Sequence, residues 1–180
     1  MSSAQGAYHP IVVDEIILDG NKKTKDYVIL RELEFSVGDT LDTDDLDALW
    51  HENEKRILST GLFTHVILED SVASSNHHII KIKLQENWFI YPNVIFELAD
   101  RNFNVWWNEQ NRSLDRVNLG GRVNWINVSG HRDRLRLITQ FGYTRKYDLE
   151  YGFPYLNKAK TLGIAAAVVY TENREKDMRL

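Results

Sequence analysis

The chain has 180 residues, 43% hydrophobic and 27% charged, enough apolar material for most of it to fold. It has no Cys, which excludes disulfide scaffolds, thiolate zinc sites and thiol nucleophiles, and its formal charge of −4 argues against a nucleic-acid domain. That charge is uneven: residues 1–87 carry 8 Lys/Arg against 16 Asp/Glu, and residues 88–180 carry 14 against 10, which points to two structural units.

Ile11 to Leu18 is a short β-branched run closed by Asp19-Gly20-Asn21, a strand and a turn. Thr24 is placed to cap a helix over roughly residues 25–33, with Val28, Ile29 and Leu33 on its inner face, and Gly38-Asp39 ends it. Asp42-Thr43-Asp44-Asp45 opens a second helix, its acidic residues favoured by the helix dipole. There Leu46, Leu49, Trp50, Ile57 and Leu58 follow 3.6-residue spacing, interrupted at Asn53, and Gly61 is the stop. Phe63 to Glu69 then reads as a strand with Phe63, His65, Ile67 and Glu69 on one side and Thr64, Val66 and Leu68 on the other. A polar turn over Ser71 to Asn76 leads to a partner strand, His78 to Gln85. The order is β-α-α-β-β.

From Trp88 onward the helical period disappears. Val117, Leu119, Gly121, Val123 and Trp125 alternate with Arg116, Asn118, Gly120, Arg122 and Asn124. After the Asn127-to-Gly130 turn, Leu135, Leu137, Phe141 and Tyr143 alternate with Arg134, Arg136, Gln140 and Thr144, with a local break at Ile138-Thr139. Tyr147, Leu149, Tyr151 and Phe153 follow against Asp148, Glu150 and Gly152, then a turn at Pro154 to Lys158 and a last strand from Leu162 to Thr171. No apolar run approaches the roughly 20 residues of a membrane helix. Strands of this length do suit a tilted crossing of a bilayer, but a soluble sheet with one face on a core shows the same alternation. Edges bear on the choice. Roughly five strands fit between Val94 and Thr171, whereas the smallest membrane barrels use about 8. An open sheet cannot sit in lipid with unpaired edges, so the membrane reading makes this chain part of a barrel.

Several motifs, taken in order, resemble a known family. Ile16-x-x-x-Gly20-Asn21-x-x-Thr24, Arg31-Glu32, the Gly38 turn, Gly61-Leu62-Phe63-x-x-Val66 and Glu86 resemble a POTRA domain. Asn87-Trp88, Pro92, Ala99-Asp100-Arg101-Asn102, Leu114-x-Arg116-x-Asn118-x-Gly120, Asn127-x-x-Gly130 and Phe153-Pro154-Tyr155 resemble the opening barrel strands of the outer-membrane β-barrel assembly and translocation proteins, BamA and its relatives. The resemblance implies a POTRA-like periplasmic domain over residues 11–87 and the first strands of an incomplete outer-membrane barrel over residues 88–180. Only one POTRA-like unit is seen and the family's later barrel is missing, so a fragment is expected.

The implied role is to receive unfolded outer-membrane proteins and promote their insertion, with outer-membrane lipid and accessory lipoproteins as further partners. No enzyme activity, cofactor, metal or nucleic acid is expected. A POTRA sheet leaves an edge whose main-chain groups can pair with an extended client. The family places that edge at Phe63 to Glu69, with Phe63, Val66 and Leu68 at the client and Val66 and Leu68 lining a groove. A second mobile edge falls near Val94 to Leu98, with Val94 and Phe96 at the client. Arg116, Arg122, Arg134 and Arg136 on one alternating face read as a barrel lumen balanced by Asp148 and Glu150, or as a solvated sheet face. Trp106, Trp107 and Trp125 read as interfacial anchors or ordinary packing. The rival readings are the POTRA-barrel part of a patatin-like lipid hydrolase, a secretion pore, and a soluble β-rich binding domain.

Other patterns carry little chemistry. His51-Glu52-Asn53-Glu54-Lys55 begins like a zinc-protease helix but puts Lys55 where the second His belongs. His77 and His78 are adjacent and so point to opposite faces of a strand. Asp14, Glu15, Asp42, Asp44 and Asp45 read as caps and solvated carboxylates.

Overall fold

The computed structural model describes residues 10–42, 45–98, 117–157 and 160–173. Asp44, Arg101, Trp106, Trp107, Leu114, Arg116 and Lys158 lie outside the described residues. The chain divides into two compact units, Met1–Trp88 with Ser129–His131, and Phe89–Val128 with Arg132–Leu180.

The first unit runs β1 (Ile11–Asp19), α1 (Asp26–Leu30), β2 (Thr40–Leu41), α2 (Leu46–Ser59), β3 (Phe63–Ser74) and β4 (His77–Glu86). Its sheet has the order β2-β1-β4-β3, with β1 and β4 parallel and the other pairs antiparallel. The expected β-α-α-β-β order is therefore present, with a two-residue β2 added beside the start of β1. Val13, Val28, Ile29, Ile57, Leu62, Ile80 and Ile82 form a closed core between the sheet and the helices.

Local expectations fail at three places. Helix α1 is one short turn, and its N-cap is Lys25 without a side-chain cap bond. Thr24 is buried instead, and its backbone N–H goes to the Glu86 carboxylate (2.6 Å). Asn53, expected to interrupt the apolar face of α2, is fully buried within it. Its Oδ1 accepts the Glu34 N–H (2.8 Å) and its amide donates to the Leu49 carbonyl (2.8 Å). Phe63 packs on the same side as Val66 and Leu68 because the ladder shifts register between Phe63 and His65. Such a bulge inserts one residue and reverses the alternation before it.

The second unit is an antiparallel meander of β5 (Ile90–Leu98), β6 (Val117–Ile126), β7 (Arg134–Gly142), β8 (Thr144–Phe153) and β9 (Ile164–Asn173), in that order across the sheet. Register lines up the alternation across strands: Phe96 faces Leu119, Leu119 faces Phe141, and Leu149 faces both Leu137 and Val168. On the opposite face Arg136 is in register with Asn124 and Glu150. The break expected at Ile138-Thr139 is one of residue type and not of geometry: Ile138 sits on the polar face, buried, in register with Arg122 and Asp148. Asn127 takes a left-handed turn conformation (φ 58°) and is buried, its Oδ1 accepting the Arg132 N–H (2.9 Å).

Candidate functional site

Two features of the fold could carry function: the faces of the second sheet and the outer edge of the first.

In the second sheet the usual distribution of polarity is inverted. A soluble sheet hides its apolar face and wets its polar one. Here Phe141 is 53% and Val168 72% exposed, with Phe96, Leu119, Leu149 and Tyr170 also open. Asp148 is 5% and Gln140 7% exposed on the opposite face, and Asn118 is buried there too. Polar contacts organise that face. Arg136 lies 2.5 Å from Glu150 and 3.6 Å from Asp148, and Lys146 stands 3.7 Å from Asp148. The Asn118 Oδ1 accepts the Thr144 N–H (2.8 Å). Of the residues expected to share a face, Arg136, Asp148 and Glu150 are brought into one cluster. Arg122 and Arg134 are on that face but in register with Ile138 and Gly152. A groove of about 690 Å³ runs along Arg134, Arg136 and Glu150, with Trp125, Leu135 and Phe153 also in its lining. The result is an ion-paired face on one side and an aromatic and aliphatic surface on the other.

The first sheet ends at β3, whose outer side has no strand partner among the described residues. Phe63, Val66 and Leu68 are 4%, 7% and 6% exposed, so their side chains belong to the core under α2 and do not line an open groove. This corrects the expected placement: an amphipathic helix packs on the face toward which these side chains point, and closes it. What β3 can still offer is its main chain. The Leu68 N–H points outward, where it donates to Glu54 Oε1 from α2 (2.9 Å). Because outward donors recur every second residue, Val66, Asp70 and Val72 direct their N–H groups the same way. Glu69 to Ser74 are all exposed, so the C-terminal half of the edge is the open half. The strand is also longer than expected, reaching Ser74.

Strand β5 is the corresponding edge of the second sheet. Val94 and Phe96 stand well exposed on its apolar face, while Ile95 between them is buried on the other. At the far side β9 is exposed along its whole length.

The remaining polar motifs are structural. His77 Nδ1 pairs with Asp14 (2.5 Å) and His78 Nδ1 with Asp70 (3.0 Å), and the two imidazoles take opposite sides of the sheet as adjacent strand residues must. His51 is exposed and 3.9 Å from Glu54. Glu86 closes the loop after β1. Its carboxylate accepts the Lys23 N–H (3.0 and 3.1 Å) and the Thr24 N–H (2.6 Å). Glu54 at the edge was missed by sequence reasoning. It sits 14 residues from Leu68, and no spacing rule links a helical carboxylate to a strand amide at that distance.

Residues 11–87 match the family model described as POTRA, surface antigen variable number repeat. Among solved structures, BamA from Haemophilus ducreyi lacking POTRA domains 1–3 is similar with a TM-score of 0.66 at 18% identity, over 91% of this chain and 28% of that one. CdiB from Escherichia coli gives 0.49 at 12% identity, over 89% of this chain and 28% of that one. CdiB from Acinetobacter baumannii gives 0.46 at 14% identity, over 81% and 26%. No curated protein matches. This chain thus spans well under half of the BamA chain whose fold it shares.

Proposed function

We propose, from the premise that residues 11–87 are a POTRA domain and that the strands after it share the fold of BamA, that this chain is part of an outer-membrane β-barrel protein of the assembly and insertion type. The first unit stands in the periplasm of a bacterial envelope and receives unfolded outer-membrane proteins by strand addition. The second unit lies in the outer membrane as barrel strands. Accessory lipoproteins are further partners of the complete protein.

The inverted polarity of the second sheet is the observation that carries this reading. Burying apolar surface contributes roughly 25 cal/mol per Å², so an aromatic and aliphatic face of five strands left in water is costly. Lipid removes that cost. The Arg136–Glu150 pair then faces a wet interior, and the buried Asp148 has Arg136 and Lys146 beside it. Lipid demands in turn that every main-chain group be paired, so β5 and β9 require further strands on their outer sides. The soluble-domain alternative runs against the same observation, because its apolar face would have to be covered.

No catalytic residue is needed for the client-binding role. Main-chain pairing at an edge reads strand conformation rather than side chains, which fits clients of unrelated sequence. The experiment is co-flotation of the chain with lipid vesicles, together with its state in plain buffer. Expected is association with the vesicles and aggregation without lipid or detergent. A monodisperse, protease-resistant chain in plain buffer that ignores vesicles overturns the reading.

A further inference from the structure

The outer edge of β3 is not uniformly open. Its N-terminal half lies beside α2, and there the one outward donor with a visible partner, the Leu68 N–H, is taken by Glu54 Oε1 at 2.9 Å. Its C-terminal half, Glu69 to Ser74, is exposed. The Glu54 oxygen occupies the position that a carbonyl of an added strand needs in order to extend the ladder past Asp70. The carboxylate is not locked in. Its side chain is about a quarter exposed, and its second oxygen has the largely exposed His51 imidazole at 3.9 Å on the same helix face. A carboxylate leaving Leu68 therefore has solvent and a neighbouring imidazole to turn to.

We propose that Glu54 is a displaceable plug on the client-binding edge: it stands in for the carbonyl of an incoming strand at Leu68, and a client strand must displace it to pair along the full length of β3. The idea rests on the edge-addition reading given above and adds a regulating residue to it. Addition starts at the open half, around Asp70 and Val72, and proceeds toward Leu68 as Glu54 swings away. The plug keeps short or adventitious strands from completing the ladder, a cost that long amphipathic strands can meet with their remaining hydrogen bonds. Of the carboxylates along the edge, Glu69 is paired with Lys83 and Asp70 with His78, which leaves Glu54, once displaced, as the one for a basic residue of the client; Arg134-Leu-Arg136-Leu in this chain is a segment of that kind.

The test uses the full chain in detergent micelles and a fluorescein-labelled peptide of residues 134–142, an alternating strand with two arginines and no side-chain carboxylate. Glu54→Ala should tighten peptide binding about three- to tenfold, the range set by freeing one hydrogen-bonded amide. Glu54→Gln keeps an acceptor oxygen and should stay within about twofold of the parent. Val72→Pro removes an outward N–H from the open half and should weaken binding about tenfold in either background. Amide exchange at Leu68, read without peptide, should quicken about three- to tenfold in Glu54→Ala and leave the core amides of β4 unchanged. If Val72→Pro weakens binding but Glu54→Ala does not tighten it, strand addition stands and the plug is overturned. Unchanged exchange at Leu68 overturns it as well. If Val72→Pro has no effect, the peptide is not on this edge, and both ideas fall. Dimerisation of Glu54→Ala without tighter peptide binding would assign the edge to a second copy and overturn the client role of the plug.

Discussion

Gly20 and Asn53 show how single residues hold the first unit together. Gly20 turns the chain out of β1 with φ 107°, and a Cβ there would meet the Leu84 carbonyl oxygen at 1.9 Å. An L-residue is excluded twice, by its backbone conformation and by the strand beside it. Gly20→Ala is expected to destabilise the first unit by about 2 kcal/mol or more, read as a lower urea midpoint. The same turn delivers the Lys23 and Thr24 amides to Glu86, which explains why Gly20, Thr24 and Glu86 occur together in this chain although 66 positions separate the first from the last. Asn53 ties α2 to the segment after α1 through the Glu34 N–H. Truncation to alanine removes the partner of that partly buried amide and empties a fully buried site, so Asn53→Ala should cost about 1–3 kcal/mol in the same measurement. A polar residue in an apolar stripe looks like a fault in a sequence. Here its side chain satisfies a backbone donor of the neighbouring segment.

At the level of elements, strands of the second unit behave as their alternation demands, and the first unit departs from local rules where long-range partners intervene. Helix α1 stops at Leu30, where the Glu32 and Leu33 N–H groups bond only three residues back, to the Ile29 and Leu30 carbonyls, in turns rather than in helix. The bulge at Phe63 re-aims one aromatic ring into the core, which no period-two count can anticipate. In the second sheet a substitution should be judged by face. If the apolar face meets lipid as proposed, Leu137→Arg puts a guanidinium there and is expected to cost about 2–4 kcal/mol near the midplane. Ala167→Arg falls on the opposite face, in register with Glu150, and should change stability by no more than about 0.5 kcal/mol. Urea unfolding of each variant in detergent micelles compares the two; equal costs would mean that the faces are not lipid and water.

Across the whole molecule, one unit is a closed α+β domain with an acidic surface, and the other is a five-stranded meander with two open edges among the described residues. Its two outer strands still carry main-chain groups without strand partners among the described residues. The division into an acidic and a basic half, the order of the longer elements and the five strands after Trp88 among the described residues were legible in the residues. Each depends on composition or on period within a few neighbours, and local sterics fix those directly. The side chains expected at the client edge were assigned less well. Phe63, Val66 and Leu68 alternate correctly to be grouped near a helix, but whether that helix leaves a groove or closes it is a matter of packing distance. Likewise, alternation alone reads the same for a soluble sheet and for a membrane strand. Only the three-dimensional arrangement tells that Phe141 and Val168 remain uncovered while Asp148 and Gln140 are enclosed, because exposure is decided by what the rest of the chain brings to each face, and periodicity records nothing about that.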